Sequence, residues 1–213
     1  MAKVTGKRIC GRGPFQCTLQ QCMTSRHPGR LSQFMAVAMA WALIGALSVH
    51  AQHSNPTEYE VKAAYLYNFG KFIEWPAKVS VASDPFTICV LGQDPFGASL
   101  NATIASETIN GRSVVVKRMP RPQDAVSCRI LFISSSEESR LKEILATLEQ
   151  TSVLTVSDMP QFTRRGGMIQ FVVEANRVRF EVNLTSAERA GLTLSSQLLK
   201  VAISVSRSSQ PGD

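Results

Sequence analysis

The sequence predicts one α/β domain, a three-layer Rossmann-like fold with a mostly parallel sheet and a C-terminal antiparallel hairpin. Three observations predict it. Short apolar runs bounded by turn residues recur at 86–91, 113–119, 128–134 and 152–158, as buried strands do. Helical patterns alternate with these runs, which is the mark of strands joined by crossovers. Near the end, "MIQFVVEANRVRFEVN" holds two strand-like runs around Glu174, Ala175 and Asn176, which reads as a hairpin added antiparallel to the sheet. No internal repeat or long linker divides the chain.

Each element follows from its residues. "TEYEVKAAYLYNFGKFIEW" at 57–75 has apolar residues at 61, 65, 69, 72 and 73, a helical spacing. Thr57 and Glu60 stand in capping-box register and Pro76 supplies the stop. The aromatics of this helix either line a ligand cage or bolt it to the sheet, and the second is the simpler expectation. "FTICVL" is the first strand, after which Asp94 and Pro95 take the N-cap and first-turn places of a helix reaching about Ser106. "NGR" at 110–112 is a turn into "SVVVKRM". Pro120 and Pro122 interrupt the chain before "CRILFIS". "SSEESRLKEILATLEQ" is an amphipathic helix with Ser135 and Glu138 in capping-box register. "SVLTVSD" is the fourth strand, "MPQFTRRGG" a loop, and 186–205 a last helix offering Leu192, Leu194, Leu198, Leu199 and Ile203 to the core.

The N-terminal end reads as an export signal. Residues 1–30 carry Lys3, Lys7, Arg8, Arg12, Arg26 and Arg30 and no acid, followed by "FMAVAMAWALIGALSV" at 34–49. This run of about 16 residues is short of the roughly 20 that span a bilayer. It ends in "SVHAQ", so a cleaved signal over 1–51 is expected rather than an anchor, leaving a single domain at 52–213. The charged region is long for a signal, and Met23 and Met35 are alternative starts.

Without the leader the chain is nearly neutral. Six of the 23 Lys and Arg precede residue 52 and none of the 16 acids does, which leaves 17 cations against 16 anions. No nucleic-acid partner is expected from that balance. Cys10, Cys17 and Cys22 leave with the leader, so Cys89 and Cys128 remain. An even count in an exported domain favours a disulfide over two buried thiols. First and third strands are commonly neighbours in such a sheet, which would bring the two cysteines close.

Catalysis has little to stand on. His53, at the start of the mature chain, is the single histidine after residue 52, which excludes Ser-His and Cys-His triads and an ordinary histidine metal site. The strand-to-helix turns "LGQDPFG" and "SSSEES" put Asp94, Glu137 and Glu138 where a bound phosphate would sit. Neither a metal nor a cofactor is expected. The better candidate anion site is "FTRRGGMIQF", where Arg164 and Arg165 precede two glycines that let backbone approach a ligand. The alternative is a solvated loop with a tight turn. Glu181 and Arg189 are available to pair with that site or with a partner.

The blocks "KAAYLYNFGKFIEWP", "CRILFIS" and "RRGGMIQFVVEANRVRFEVNLTSAERAGLTLSSQLLKVA", in that order over roughly 58–204, resemble the YfiR family of periplasmic proteins. The resemblance implies a non-enzymatic regulator. Its expected partner is the periplasmic sensor portion of an inner-membrane diguanylate cyclase, whose cyclic-di-GMP synthesis, and with it biofilm formation, it would repress. An outer-membrane lipoprotein would sequester it. The resemblance also implies a homodimer and matches Cys89 and Cys128 to one of two family disulfides; the second, near "FTRRGG", has no cysteines here. Glu181, Arg189 and the neighbouring hairpin edge are expected at the partner surface. The competing expectation is a small-molecule or anion-binding module feeding a membrane sensor, with Arg164 and Arg165 holding the ligand and the aromatics of 57–75 lining the pocket.

Overall fold

The computed structural model describes residues 55–76 and 84–207, all within the compact unit that starts at Ser54; the expected leader lies outside the described residues. In chain order the elements are α1 (Glu58–Phe72), β1 (Ile73–Glu74), β2 (Phe86–Leu91), α2 (Ala98–Ile104), β3 (Thr108–Ile109) and β4 (Arg112–Met119). A 3-10 turn (Pro122–Ser127) leads to β5 (Ile130–Ile133), and a second (Ser135–Arg140) to α3 (Leu141–Leu148). Then come β6 (Leu154–Ser157), β7 (Ile169–Glu174), β8 (Arg177–Asn183), α4 (Leu184–Arg189), β9 (Thr193–Leu194), α5 (Ser196–Val201) and β10 (Ser204–Ser206).

Eight of the described strands form one sheet in the order β10-β8-β7-β6-β5-β2-β4-β3. β2 runs parallel to both β4 and β5, and β5, β6 and β7 continue parallel. The antiparallel pairs are β3 with β4 and the hairpin β7–β8. The hairpin turns through Ala175 and Asn176, both at positive φ; asparagine accepts that left-handed backbone more readily than most residues. First and third strands are thus neighbours, because the chain crosses from β4 over β2 to reach β5.

Strand alternation builds the three layers. Phe86, Ile88 and Val90 of β2, with Ile130 and Phe132 of β5, enter one core under α1 and α2. Cys89, Leu91, Leu131 and Ile133 enter a second core under α3. All six residues of β2 are buried, which is why this strand reads as a continuous apolar run.

The capping box of α1 forms as its spacing predicts. The Glu60 amide donates to Thr57 Oγ1 at 3.3 Å and the Thr57 amide to Glu60 Oε2 at 2.7 Å. Thr57→Ala is expected to lower unfolding free energy by about 1 kcal/mol, measured by urea titration.

Four element boundaries differ from the sequence expectation. α1 ends at Phe72, not Trp75, because Ile73 and Glu74 pair with Leu194 and Thr193 and the Phe72 carbonyl accepts from the Ser195 amide at 3.0 Å. Its buried face is also rotated: Lys62, Ala63, Leu66, Tyr67 and Phe69 are buried, while Phe72 is 36% exposed. The helix after β2 starts at Ala98 rather than Pro95. Asp94 instead closes a local turn, its Oδ1 accepting from the Phe96 amide at 2.8 Å, and Oδ2 pairs with Arg118 at 2.9 Å. Before α3 it is Ser134, not Ser135, that accepts from a following amide, and the first turn is 3-10. The expected last helix is two short helices and two strands. Gly191, at φ 73, stops α4, with its amide bonded to Glu188 O and that of Leu192 to Ala187 O, the pattern of a glycine-terminated helix. Ser195 then caps α5, accepting from the Leu198 amide at 3.2 Å.

Candidate functional site

The loop at 159–167 is locked onto the hairpin by buried polar side chains. The Asn183 side-chain amide donates to the Thr163 carbonyl at 2.9 Å, and Asn183 Oδ1 also caps α4 through the Ser186 amide at 3.1 Å. Thr163 Oγ1 donates to Glu181 Oε2 at 3.4 Å, and the Thr163 amide to Gln170 at 3.4 Å. Gly167 sits against the Phe162 ring so closely that any Cβ would collide with it. Gly167 therefore allows a close approach, but the group approached is the loop's own phenylalanine, while Gly166 makes only ordinary contact with Leu145.

This anchoring sets where the arginines go. Arg165 extends across to the second 3-10 turn, donating to Glu138 Oε1 at 3.0 Å and to the Glu138 carbonyl at 3.2 Å. Its side chain also lines a cavity of about 270 Å³ between α3, α4 and the loop, together with Gly166, Met168, Ser186 and Arg189. The structure thus brings together Arg165, expected to hold a ligand, and Arg189, expected at a partner surface. Arg164 is exposed and does not line that cavity, and neither do the aromatics of α1. Glu181 is half-buried and engaged with Thr163; among the described residues it forms no ion pair with Arg189.

All the α1 aromatics but Phe72 pack in or against the core. Tyr65 and Phe69 meet Phe171 and Phe180 with ring centroids 5.2 to 5.9 Å apart. Beside them lies a shallow apolar groove of about 330 Å³ lined by Tyr65, Phe69, Phe72, Phe180, Leu198 and Val201. Phe72, Val201, Ile203 and Val205 are exposed large hydrophobics.

Cys89 and Cys128 form a disulfide, with Cα atoms 6.0 Å apart. Cys89 lies in β2 and Cys128 just before β5, and both are buried in the core under α3. The pairing of Ile88 with Ile130 is the register that brings them into reach.

One charged cluster escaped the sequence reading. Lys62 is 2% exposed, and its ammonium meets Asp158 at 2.7 Å and Glu58 at 2.5 Å. It lies 4.4 Å from the centroid of the Tyr59 ring, and Tyr59 Oη donates to the same Asp158 oxygen at 3.1 Å. Burial pushes the Lys62 ammonium down, but the hydrogen bonds to Asp158 and Glu58 outweigh it and hold its pKa above the ordinary 10.5. Burial and the Asp158 charge raise the Tyr59 hydroxyl. The available signal was that Glu58 and Lys62 stand four apart at the start of a helix whose other face is apolar; Asp158 lies 96 residues away. Among the described residues no cluster of three or more His, Cys, Asp and Glu is placed to hold a metal, and no helix is long and apolar enough to cross a membrane.

Among solved structures, a conserved domain protein from Vibrio cholerae O1 biovar El Tor str. N16961 is similar at TM-score 0.50 and 13% identity. The match covers 72% of this chain and 62% of that one, so the chain spans less than two thirds of its length. At this identity the likeness is one of fold. The ABC domain in complex with L-Trp from Streptococcus pneumonia matches at TM-score 0.41 and 13% identity, over 57% of this chain and 55% of that one, too loosely to carry more. The YfiR/HmsC-like family model matches residues 59–203, from the first turn of α1 to the start of β10. That span takes in the α1 block, the strand after Cys128 and the hairpin with its two following helices, and by it the chain belongs to the YfiR/HmsC-like family.

Proposed function

We propose that the protein is a periplasmic regulator that binds the periplasmic sensor part of an inner-membrane diguanylate cyclase and represses cyclic-di-GMP synthesis. The observation that carries this reading is family membership over residues 59–203. The Cys89–Cys128 disulfide supports export, because such bonds persist in oxidising compartments. In this reading residues 1–51 are a cleaved signal, the mature domain starts at Gln52, and the protein acts without enzymatic activity or cofactor. The exposed apolar residues Phe72 and Val201, which line one groove with Tyr65 and Leu198, favour a further contact, as contiguous apolar surface does. We assign them to a homodimer, with an outer-membrane lipoprotein as the sequestering partner.

The test is capture of detergent-solubilised membrane proteins on the disulfide-bonded protein. Recovery of an inner-membrane protein with a cyclase domain supports the reading, and recovery of no such protein by a folded, oxidised sample overturns it. Glu181 and Arg189 are proposed at or near the partner surface. Reversing both charges, Glu181→Lys with Arg189→Glu, is expected to weaken sensor binding at least about ten-fold, the effect of losing one charged contact of roughly 1.4 kcal/mol. Arg189→Glu alone separates contact from fold, because Arg189 is exposed while Glu181 also anchors Thr163. Unchanged sensor affinity in the double variant removes both residues from the interface.

A further inference from the structure

We propose that the cavity between α3, α4 and the 159–167 loop is a binding site for a small monocarboxylate with an apolar body, independent of any protein partner. The cavity, about 270 Å³, is lined by Arg165 from the loop and Arg189 from the last turn of α4. Its apolar lining includes Leu145 and Leu148 of α3 and Met168 just before β7, with Leu148 and Met168 both buried. A floor of this kind beside a few convergent polar groups is the usual composition of a ligand pocket.

The charges select the class of anion. Arg165 is held in place by its two bonds to Glu138, so part of its charge is already neutralised. Arg189 has no ion pair among the described residues. Glu149 also lines the cavity and opposes a second negative charge. Two lining arginines against one lining carboxylate suit a single carboxylate bound through arginine donors, and disfavour a phosphate dianion. Arg165 is positioned before any ligand arrives, because the loop carrying it is closed by bonds from the Arg165 amide to Gln161 O and from the Gly167 amide to Phe162 O. Gly166, at φ 102, lets the backbone form part of the wall, a conformation in which other residues are strained. Little ordering remains for the ligand to impose.

The site is tested with purified, disulfide-bonded protein by titrating hexanoate, and in parallel hexanol and inorganic phosphate, with backbone amide resonances as the readout. Hexanoate is expected to shift residues 145–149, 165–168 and 186–190 saturably, at least about ten-fold more tightly than hexanol, since a hydrogen bond to a charged group is worth that factor or more. Arg189→Gln is expected to weaken hexanoate by roughly ten-fold. Ala146→Phe, at an exposed position that lines the cavity, is expected to abolish binding with an unchanged thermal midpoint. The proposal is overturned by the absence of saturable shifts, by hexanol binding as tightly as hexanoate, or by phosphate doing so. Hexanoate binding insensitive to both variants overturns it equally. None of these outcomes depends on whether a cyclase is captured.

Discussion

Replacing Cys89 and Cys128 together by alanine is expected to lower the unfolding free energy by about 3–4 kcal/mol, and the thermal midpoint by roughly 10 °C. The bond closes a sequence separation of 39 residues, for which loss of unfolded-chain entropy alone corresponds to about 4 kcal/mol. The closed segment contains α2, β3, β4 and the first 3-10 turn, so the link joins two strands that neighbour each other in the sheet but are separated by a crossover in the chain. Both cysteines are at most 2% exposed, and removing the sulfurs from a packed core adds a smaller cavity cost. Urea titration of wild type, of the double alanine variant and of wild type under dithiothreitol measures the effect. A steeper denaturant dependence is expected in both disulfide-free samples, because their unfolded chains expose more surface. Equal midpoints with and without the bond would show that the unfolded chain is already constrained and that the link is not a determinant of stability.

Asp158→Ala is expected to cost about 2–3 kcal/mol, more than Lys62→Met at the other end of the same contact. Breaking one partner of a buried ion pair costs roughly 3–5 kcal/mol because the remaining charge stays out of water. The discount here comes from Glu58, which still meets Lys62 after Asp158 is lost but whose side chain is 46% exposed. Lys62→Met places an apolar chain of similar length in the same site and leaves Asp158, 15% exposed, with the Tyr59 hydroxyl as donor. That substitution is expected to cost about 1–2 kcal/mol, and Lys62→Met with Asp158→Leu is expected to recover part of the loss. The pH dependence has a definite sign. The Lys62 pKa is raised above 10.5 in the folded protein, so the pair's contribution is fully present below that value and fades as pH rises through the folded pKa. The difference between wild type and Asp158→Ala should therefore be constant through neutral pH and shrink in strongly alkaline buffer. A neutral Asp158→Ala at pH 7 would mean that water replaces the carboxylate at Lys62.

Several elements were legible because their signals are local. The capping box at Thr57 and Glu60, the apolar runs of β2 and β5, and the hairpin around Ala175 and Asn176 follow from spacing, and the structure contains each of them. The Gly191 stop and the Ser195 cap were also written locally, in "AGLTLSS", but the leucine spacing across 192–203 imitates a continuous helix. The early end of α1 had no local signal at all, since it depends on β1 pairing with β9, more than a hundred residues downstream. At the candidate site, Arg165 was visible as part of a paired-arginine loop. Its true companion in the cavity, Arg189, lies in a different element, while the adjacent Arg164 is not among the residues that line it.

By itself the sequence determined the fold class, the main strands of the sheet with the closing hairpin, and the family, because these rest on periodicity, turn chemistry and long contiguous motifs that do not need a partner in space. The tertiary structure alone decided which charges meet. Lys62 finds Asp158, and Arg189 shares a cavity with Arg165, because the β4-to-β5 crossover and the hairpin fold distant segments onto one sheet. Burial then raises the energy of every unpaired charge, so the arrangement of partners is set by packing and not by spacing along the chain.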